Sequence, residues 1–333
     1  MKKAALALLL LAVLPVCARA QWDKDVLQYR GRIALQDGKY ADAIENFNIL
    51  ARLDTADYWN FFYRGIAKYN LGDLRGAQQD FDRTVRLNPV FTNGYHYRAI
   101  TKSRFGKYDD ALKDLQEAIN LRPGFSGLYF SRAVTYFLAQ RFDDAIDDFD
   151  KYIRKEPKDP SAYLNRGACQ LFLGDTLKAL SDYNRAIRLD RFESEGYMRR
   201  GRLYAAQGDM VRGIADMDQA VSLDGKNTLA IFSRALMYFD LENYGKALED
   251  MDKVLEMDPG NALTLYNRSR IKLRLNDSAG ALDDMDRVLN INPRNILAYY
   301  NRAAAFCELG RWEDAVRDYT SAIELYPDFA KAY

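Results

Sequence analysis

Residues 296–329, ILAYYNRAAAFCELGRWEDAVRDYTSAIELYPDF, are the unit from which the rest of the chain is repeated. Moving back from Pro327 in steps of 34 residues reaches Pro293, Pro259, Gly225, Arg191, Pro157, Pro123, Pro89 and Thr55, with no insertion or deletion between them. In the same frame a small residue recurs at Ala43, Ala77, Ala111, Ala145, Ala179, Gly213, Ala247, Ala281 and Ala315. Nine units therefore follow one another, at 24–57, 58–91, 92–125, 126–159, 160–193, 194–227, 228–261, 262–295 and 296–329, and 330–333 opens a tenth. Each unit of such an array packs on its neighbours, so the period predicts one continuous stack rather than separate domains.

Within the quoted stretch, Tyr299, Arg302, Ala303, Phe306, Ala315, Tyr319 and Pro327 fall at spacings that resemble a tetratricopeptide repeat. That family's pattern is Trp-x2-Leu-Gly-x2-Tyr, then Ala-x3-Phe, then Pro. Here Tyr299 stands for the Trp, Arg302 for the Leu, Ala303 for the Gly and Phe306 for the Tyr. The resemblance covers nearly all of the chain beyond residue 23. It implies an all-α solenoid, a right-handed superhelix of antiparallel helix pairs. Ala303 and Ala315 let the two helices of a unit approach closely, and Tyr299, Phe306 and Tyr319 fill the space around that contact.

Each unit reads as helix, tight turn, helix, loop. Gly38, Gly72, Gly106, Gly174, Gly208 and Gly310 occupy the inner turn, where a glycine ends one helix and leads into the next. The closing Pro or Gly stops the second helix, as in Asn88-Pro89 and Asn292-Pro293.

The systematic departure from the family pattern is charge. Arg30, Arg64, Arg98, Arg132, Arg166, Arg200, Arg234, Arg268 and Arg302 occupy the Leu position in every unit. Sixteen residues later stand Asn46, Asp80, Asp114, Asp148, Asp182, Asp216, Asp250, Asp284 and Asp318. The matched rows predict an ion pair across each helix seam that fixes stacking register, with the partner in the same unit or in the adjacent one. A row of arginines gripping an acidic ligand is the competing reading, weakened because the carboxylates already neutralise it.

The first twenty residues read as a cleavable export signal: Lys2 and Lys3, an apolar run from Ala4 to Val16 too short to span a bilayer, and Ala18-Arg19-Ala20 before Gln21. Val16 before Cys17 argues against lipid attachment at that cysteine. Removing Lys2, Lys3 and Arg19 lowers the formal charge from +1 by three, to −2, which excludes a strongly basic nucleic-acid binder. The expected location is the periplasm or outer membrane of a bacterium, with no transmembrane segment in the mature chain. Cys169 and Cys307 lie in the fifth and ninth units, too far apart to pair, so stability must come from stacked helices. Both are expected to pack in apolar surroundings.

No catalytic or cofactor site emerges. His96 is the one histidine, no Cys/His ligand set can be assembled, and every glycine is explained by a turn or a close helix contact. Runs such as Asp147-Asp148-Phe149-Asp150 and Asp283-Asp284-Met285-Asp286 lie on predicted helices without a calcium-loop glycine, and read as a solvated second-helix face. The resemblance implies instead a non-catalytic scaffold whose first helices line a concave groove for an extended peptide or partner helix. Its lining would come from Trp59, Phe62, Ile66, Tyr69, His96, Ile100, Phe130, Val134, Phe137, Phe232, Leu236, Phe239, Tyr266, Arg270, Tyr300 and Ala304. Phe61, in the aromatic run Tyr58–Tyr63, holds the structural aromatic position, and packing of the second unit on the first is the favoured use of that run. Some members bind a C-terminal carboxylate through Lys and Asn. Asn165, Asn267 and Asn301 occupy a suitable place, but no unit presents the Lys partners. Two further readings stand beside the groove: an assembly element that oligomerises or joins a larger complex through its C-terminal end, and the carrier part of a longer enzyme.

Overall fold

The computed structural model describes residues 24–328. The stretch expected to be an export signal, with Cys17, and residues 330–333 lie outside the described residues. Among those described there are eighteen α-helices and no strand. The first-helix, second-helix pairs are α1 (Lys24–Gln36) with α2 (Tyr40–Leu53), α3 (Tyr58–Asn70) with α4 (Leu74–Leu87), α5 (Thr92–Arg104) with α6 (Tyr108–Leu121), α7 (Ser126–Leu138) with α8 (Phe142–Lys155) and α9 (Pro160–Phe172). They continue with α10 (Thr176–Leu189), α11 (Ser194–Ala206) with α12 (Met210–Leu223), α13 (Thr228–Asp240) with α14 (Tyr244–Met257), α15 (Ala262–Arg274) with α16 (Ser278–Ile291), and α17 (Ile296–Glu308) with α18 (Trp312–Leu325). Every first helix starts 34 residues after the one before it, and so does every second helix.

The inner turn is built the same way nine times. The residue after each first helix's C-terminal turn is left-handed, and the next N–H bonds the carbonyl five residues back, as Asp73 does to Lys68 and Arg311 to Phe306, at 2.9 Å each. Glycine takes the left-handed place at six turns, with Gly38 at φ 72°. At the other three stand Gln140, Glu242 and Asn276, with φ 59°, 57° and 60°. An Asp or Asn side chain then starts many second helices, Asp73 accepting from the Gly76 N–H at 2.9 Å.

The core runs along the seam between helices. Phe47, Phe81, Leu115, Phe149, Tyr183, Met217, Met251 and Met285 hold one second-helix position and are at most 2 % exposed. The small first-helix residue opposite makes room for them: a Cβ on Gly65 would lie 2.7 Å from the Phe81 ring.

The helices gather into two compact units, one ending at Asp175 and the other beginning at Thr176. In the first, α1 touches α3, α3 touches α5, α5 touches α7 and α7 touches α9. In the second, α11 touches α13 and α15 touches α17. Second helices of successive repeats make no contact of that extent, so within each unit the first helices line the inner side of the stack.

Candidate functional site on the inner face of the first helices

The arginine row is committed to structure. Arg64, Arg98, Arg132, Arg200, Arg234 and Arg302 each donate from Nε and Nη2 to the two oxygens of the Asp sixteen residues on, at 2.5–2.9 Å. Arg268 forms the same fork with Asp284. The remaining nitrogen, Nη1, reaches sixteen residues back to the preceding repeat: Asn48, Asp82, Gln116, Asn184, Asp218, Asp252 and Asp286 accept at 2.5–3.1 Å. Arg166 likewise donates to Asp150. One guanidinium therefore ties three helices, its own and the second helices of two successive repeats. In the first repeat the row is absent: the Asn46 amide bonds the Asp42 carbonyl instead.

Most of the clamps gain an aromatic neighbour, and some a second cation. Phe61, Tyr95, Tyr129, Tyr163, Tyr197 and Tyr299 lie 5.4–5.7 Å beneath the guanidinium three residues on. Phe61 is therefore half-buried beside Arg64. Lys68, Lys102 and Lys272 add a second cation to Asp80, Asp114 and Asp284 at 2.8–2.9 Å. The Asp hydrogen bond raises the Arg234, Arg268 and Arg302 pKa values against burial, which works the other way. The Asp runs are corrected here: Asp148 and Asp284 are 1 % and 0 % exposed inside the clamps, and only flanking residues such as Asp147 and Asp283 are solvated.

The expected groove residues divide. Phe62 is 4 % exposed, with Phe81, Phe91 and Tyr97 around its ring, so it belongs to the core. The physical reason is that the neighbouring Phe61 is drawn under the guanidiniums, which turns Phe62 into the seam. Trp59 is half-buried against Tyr63 and Phe91, and Ile66 and Tyr69 pack on the same cluster. Phe130 and Tyr300 meet rings on the second helix of their own repeats, Phe149 edge-on and Tyr319 at a tilt. Val134 and Phe137 flank Phe149, and Phe137 meets Phe142 and Phe172. The His96 Nε2 lies 2.7 Å from Ser131 Oγ of the next first helix, a tie between repeats. Burial lowers the His96 pKa to about 4 and keeps the ring neutral.

Open space remains at two places on this face in the second unit. A cavity of about 330 Å³ between α11, α12 and α13 is lined mainly by apolar side chains, among them Leu229, Phe232, Leu236 and Met237, together with Arg202, Ser233 and Asp240. A second, of about 230 Å³, is lined by Phe239, Arg270, Leu273, Arg274, Asn301 and Glu308 from α13, α15 and α17. Phe232, Leu236, Phe239 and Arg270 were legible from their repeat positions. Asp240, Arg274 and Glu308 share the thirteenth place of a repeat, one residue beyond the last of the positions read as lining, and that regularity is the signal that finds them.

Cys169 is fully buried and its thiol is pushed up to about 12 by burial, while Cys307 is half-buried. Among the described residues no group of His, Cys, Asp and Glu is arranged to hold a metal ion, and no helix is long and apolar enough to cross a membrane.

An all-α stack of in-phase helix pairs with aromatic and small residues at fixed places defines a helical repeat protein. The tetratricopeptide repeat profile matches residues 98–162, 164–228, 199–262 and 232–296, and a second profile of the same description matches 296–329. The chain belongs to the tetratricopeptide repeat family, whose members act generally as protein-interaction scaffolds. No curated protein matches it in sequence. Among solved structures it is similar to the C-terminal part of a repeat-containing protein from Cytophaga hutchinsonii, at 20 % identity and TM-score 0.55, over 72 % of this chain and 98 % of that one. A tetratricopeptide repeat protein from Parabacteroides merdae matches at 18 % identity and TM-score 0.53, over 72 % and 95 %. YrrB, described as having an unusual peptide-binding site, matches at 20 % identity and TM-score 0.51, over 55 % and 95 %. At these identities the likeness shows the fold alone.

Proposed function

We propose that this chain is a non-catalytic scaffold that holds an extended partner segment on the inner face of its first helices. The observation that carries the reading is the largely apolar cavity of about 330 Å³ at Leu229, Phe232, Leu236 and Met237, whose lining includes none of the clamp arginines. Its size suits a large apolar side chain, and its walls are already in place, so a partner binds without the protein ordering itself first. The peptide-binding site ascribed to YrrB supports the same use of the fold. We place the mature scaffold outside the cytoplasm, in the periplasm or at the outer membrane, on the strength of the signal-like sequence at residues 1–20.

Probing an array of varied 12-residue peptides with the labelled chain tests the groove. Peptides carrying a large apolar residue are expected to be held at least tenfold better by the parent than by a Leu229→Asp, Leu236→Asp variant with an unchanged helical spectrum. Equal retention by both would remove this face from consideration.

A further inference from the structure

We infer that the cavity between α11, α12 and α13 is an oxidation site, at which the Met210 thioether takes an oxygen atom from a peroxide and turns the lining polar. The oxidation stands on the sulfur chemistry of the cavity; its effect on a partner rests on the groove reading. Methionine is unevenly spread along the chain. Among the described residues, 24–175 contain none, and the second unit holds seven. At the seam position filled by Phe47, Phe81, Leu115 and Phe149 in the first unit, the second has Tyr183, Met217, Met251 and Met285.

Four of the seven gather at this one cavity. Met198, Met217 and Met237 are buried in a single cluster, and Met237 is also part of the lining. Met210 packs against the same cluster and lines the same space, but it is only half-buried. It is the first residue of α12, directly after the turn of Gly208 and Asp209. A small solute in the cavity therefore meets the Met210 side chain, whereas Met198 and Met217 are closed off by their neighbours. A thioether is soft and polarizable, and it needs no deprotonation before it reacts.

The chemistry balances with hydrogen peroxide as the oxidant. A sulfur lone pair attacks one peroxide oxygen; the O–O bond breaks and an S–O bond forms. The departing hydroxide takes up the proton left on the transferred oxygen and leaves as water. Sulfur gives up two electrons and the peroxide accepts them. The product is a polar sulfoxide in a lining made mainly by Leu229, Phe232, Leu236 and Met237. Arg202 and Ser233 line the same space and bring donors that the new oxygen can use, so the oxidised side chain is accommodated there. An apolar side chain of a partner then meets an S=O group where it met a thioether, and is held less well. A methionine sulfoxide reductase reverses the change.

Treating the intact chain with hydrogen peroxide and mapping its peptides by mass spectrometry tests the site directly. Met210 is expected to gain one oxygen at least tenfold faster than Met198, Met217, Met251 and Met285. A rate no greater than that of Met217 would overturn the proposal. Met257 is 41 % exposed and Cys307 half-buried, so Met257→Leu with Cys307→Ser gives a background free of these two outlying sulfurs. In that background the Met237 ε-methyl resonance, assigned by its loss in Met237→Leu, reports binding of N-acetyl-phenylalanine α-amide, an uncharged probe with an apolar side chain. Peroxide should raise the dissociation constant at least tenfold, and methionine sulfoxide reductase should restore it. With Met210→Leu added, the constant after peroxide should stay within twofold of that same variant's constant before it. A loss of binding that persists in this variant, or a constant that oxidation of Met210 leaves unmoved, would likewise sink the proposal. An untreated chain whose Met237 resonance ignores the probe would instead remove the groove, and the order of oxidation alone would then decide the site.

Discussion

Gln140, Glu242 and Asn276 pay the most visible local penalty in the molecule, because they hold a left-handed backbone that six glycines hold elsewhere. A side chain in that region costs roughly 1–2 kcal/mol, less for Asn. Nothing crowds the site, since a Cβ at the equivalent Gly106 would meet no atom within 4 Å. Gln140→Gly or Glu242→Gly is therefore expected to stabilise by about 0.5–1 kcal/mol, after the greater unfolded freedom of glycine is subtracted, and Asn276→Gly by less. Urea unfolding monitored by circular dichroism checks the order. His96 makes a second prediction at this scale. Its folded pKa of about 4 lies below the ordinary value of 6.5, because burial disfavours the charged ring. Between those values the unfolded chain binds a proton that the folded chain does not, so this contribution is fully present above the upper value and is lost as pH falls through the lower one. The loss amounts to up to about 3 kcal/mol. His96→Asn should flatten that part of the pH–stability curve. A curve identical to the parent's would show that the ring is solvated.

The clamp sets the behaviour of each helix pair and shows what the sequence could and could not convey. Arg200 and Asp216, with Asn184 from the preceding repeat, form a clamp to which no lysine is added. Arg200→Leu restores the family's usual residue yet strands a buried carboxylate, and is expected to destabilise by about 3–5 kcal/mol. Arg200→Leu with Asp216→Leu should recover most of that loss, as measured by hydrogen exchange in α11 and α12. A double variant no better than the single would mean that the ion pair itself supplies the stability. The +16 row was legible because it repeats one residue type in eight places. The −16 row was not, because Asn, Asp and Gln all serve as acceptors there and the eye finds no pattern. For the same reason Phe61 and Phe62 were separable by position but not by fate. Which of two adjacent rings goes into the seam depends on the guanidinium beside it, and that contact spans helices. Gly201 and Gly213 show the limit of close approach. A Cβ on Gly201 would lie 2.9 Å from the Gly213 carbonyl oxygen. Gly201→Ala, which favours an isolated helix by about 1 kcal/mol, is expected to destabilise this pair by about 1–3 kcal/mol and to lower the melting temperature.

Within each compact unit, every strong contact among the described residues joins neighbours in sequence: the two helices of a repeat, or a second helix and the first helix that follows it. The period made that connectivity readable, while the positions of the inner-face cavities depended on side-chain volumes summed over three helices and were not. Stability in such an array is a sum over repeats and nearest-neighbour seams, so a local defect should stay local. Phe149 is a suitable probe, since it is fully buried against Ala133, Ala145 and Cys169 in the first unit. Phe149→Ala removes about 3–5 kcal/mol of packing. Hydrogen exchange is expected to accelerate across α7, α8 and α9 and to leave α13–α18 at parental rates. Uniform acceleration along the chain would instead show that the clamps, each shared by two repeats, couple the array into a single cooperative unit.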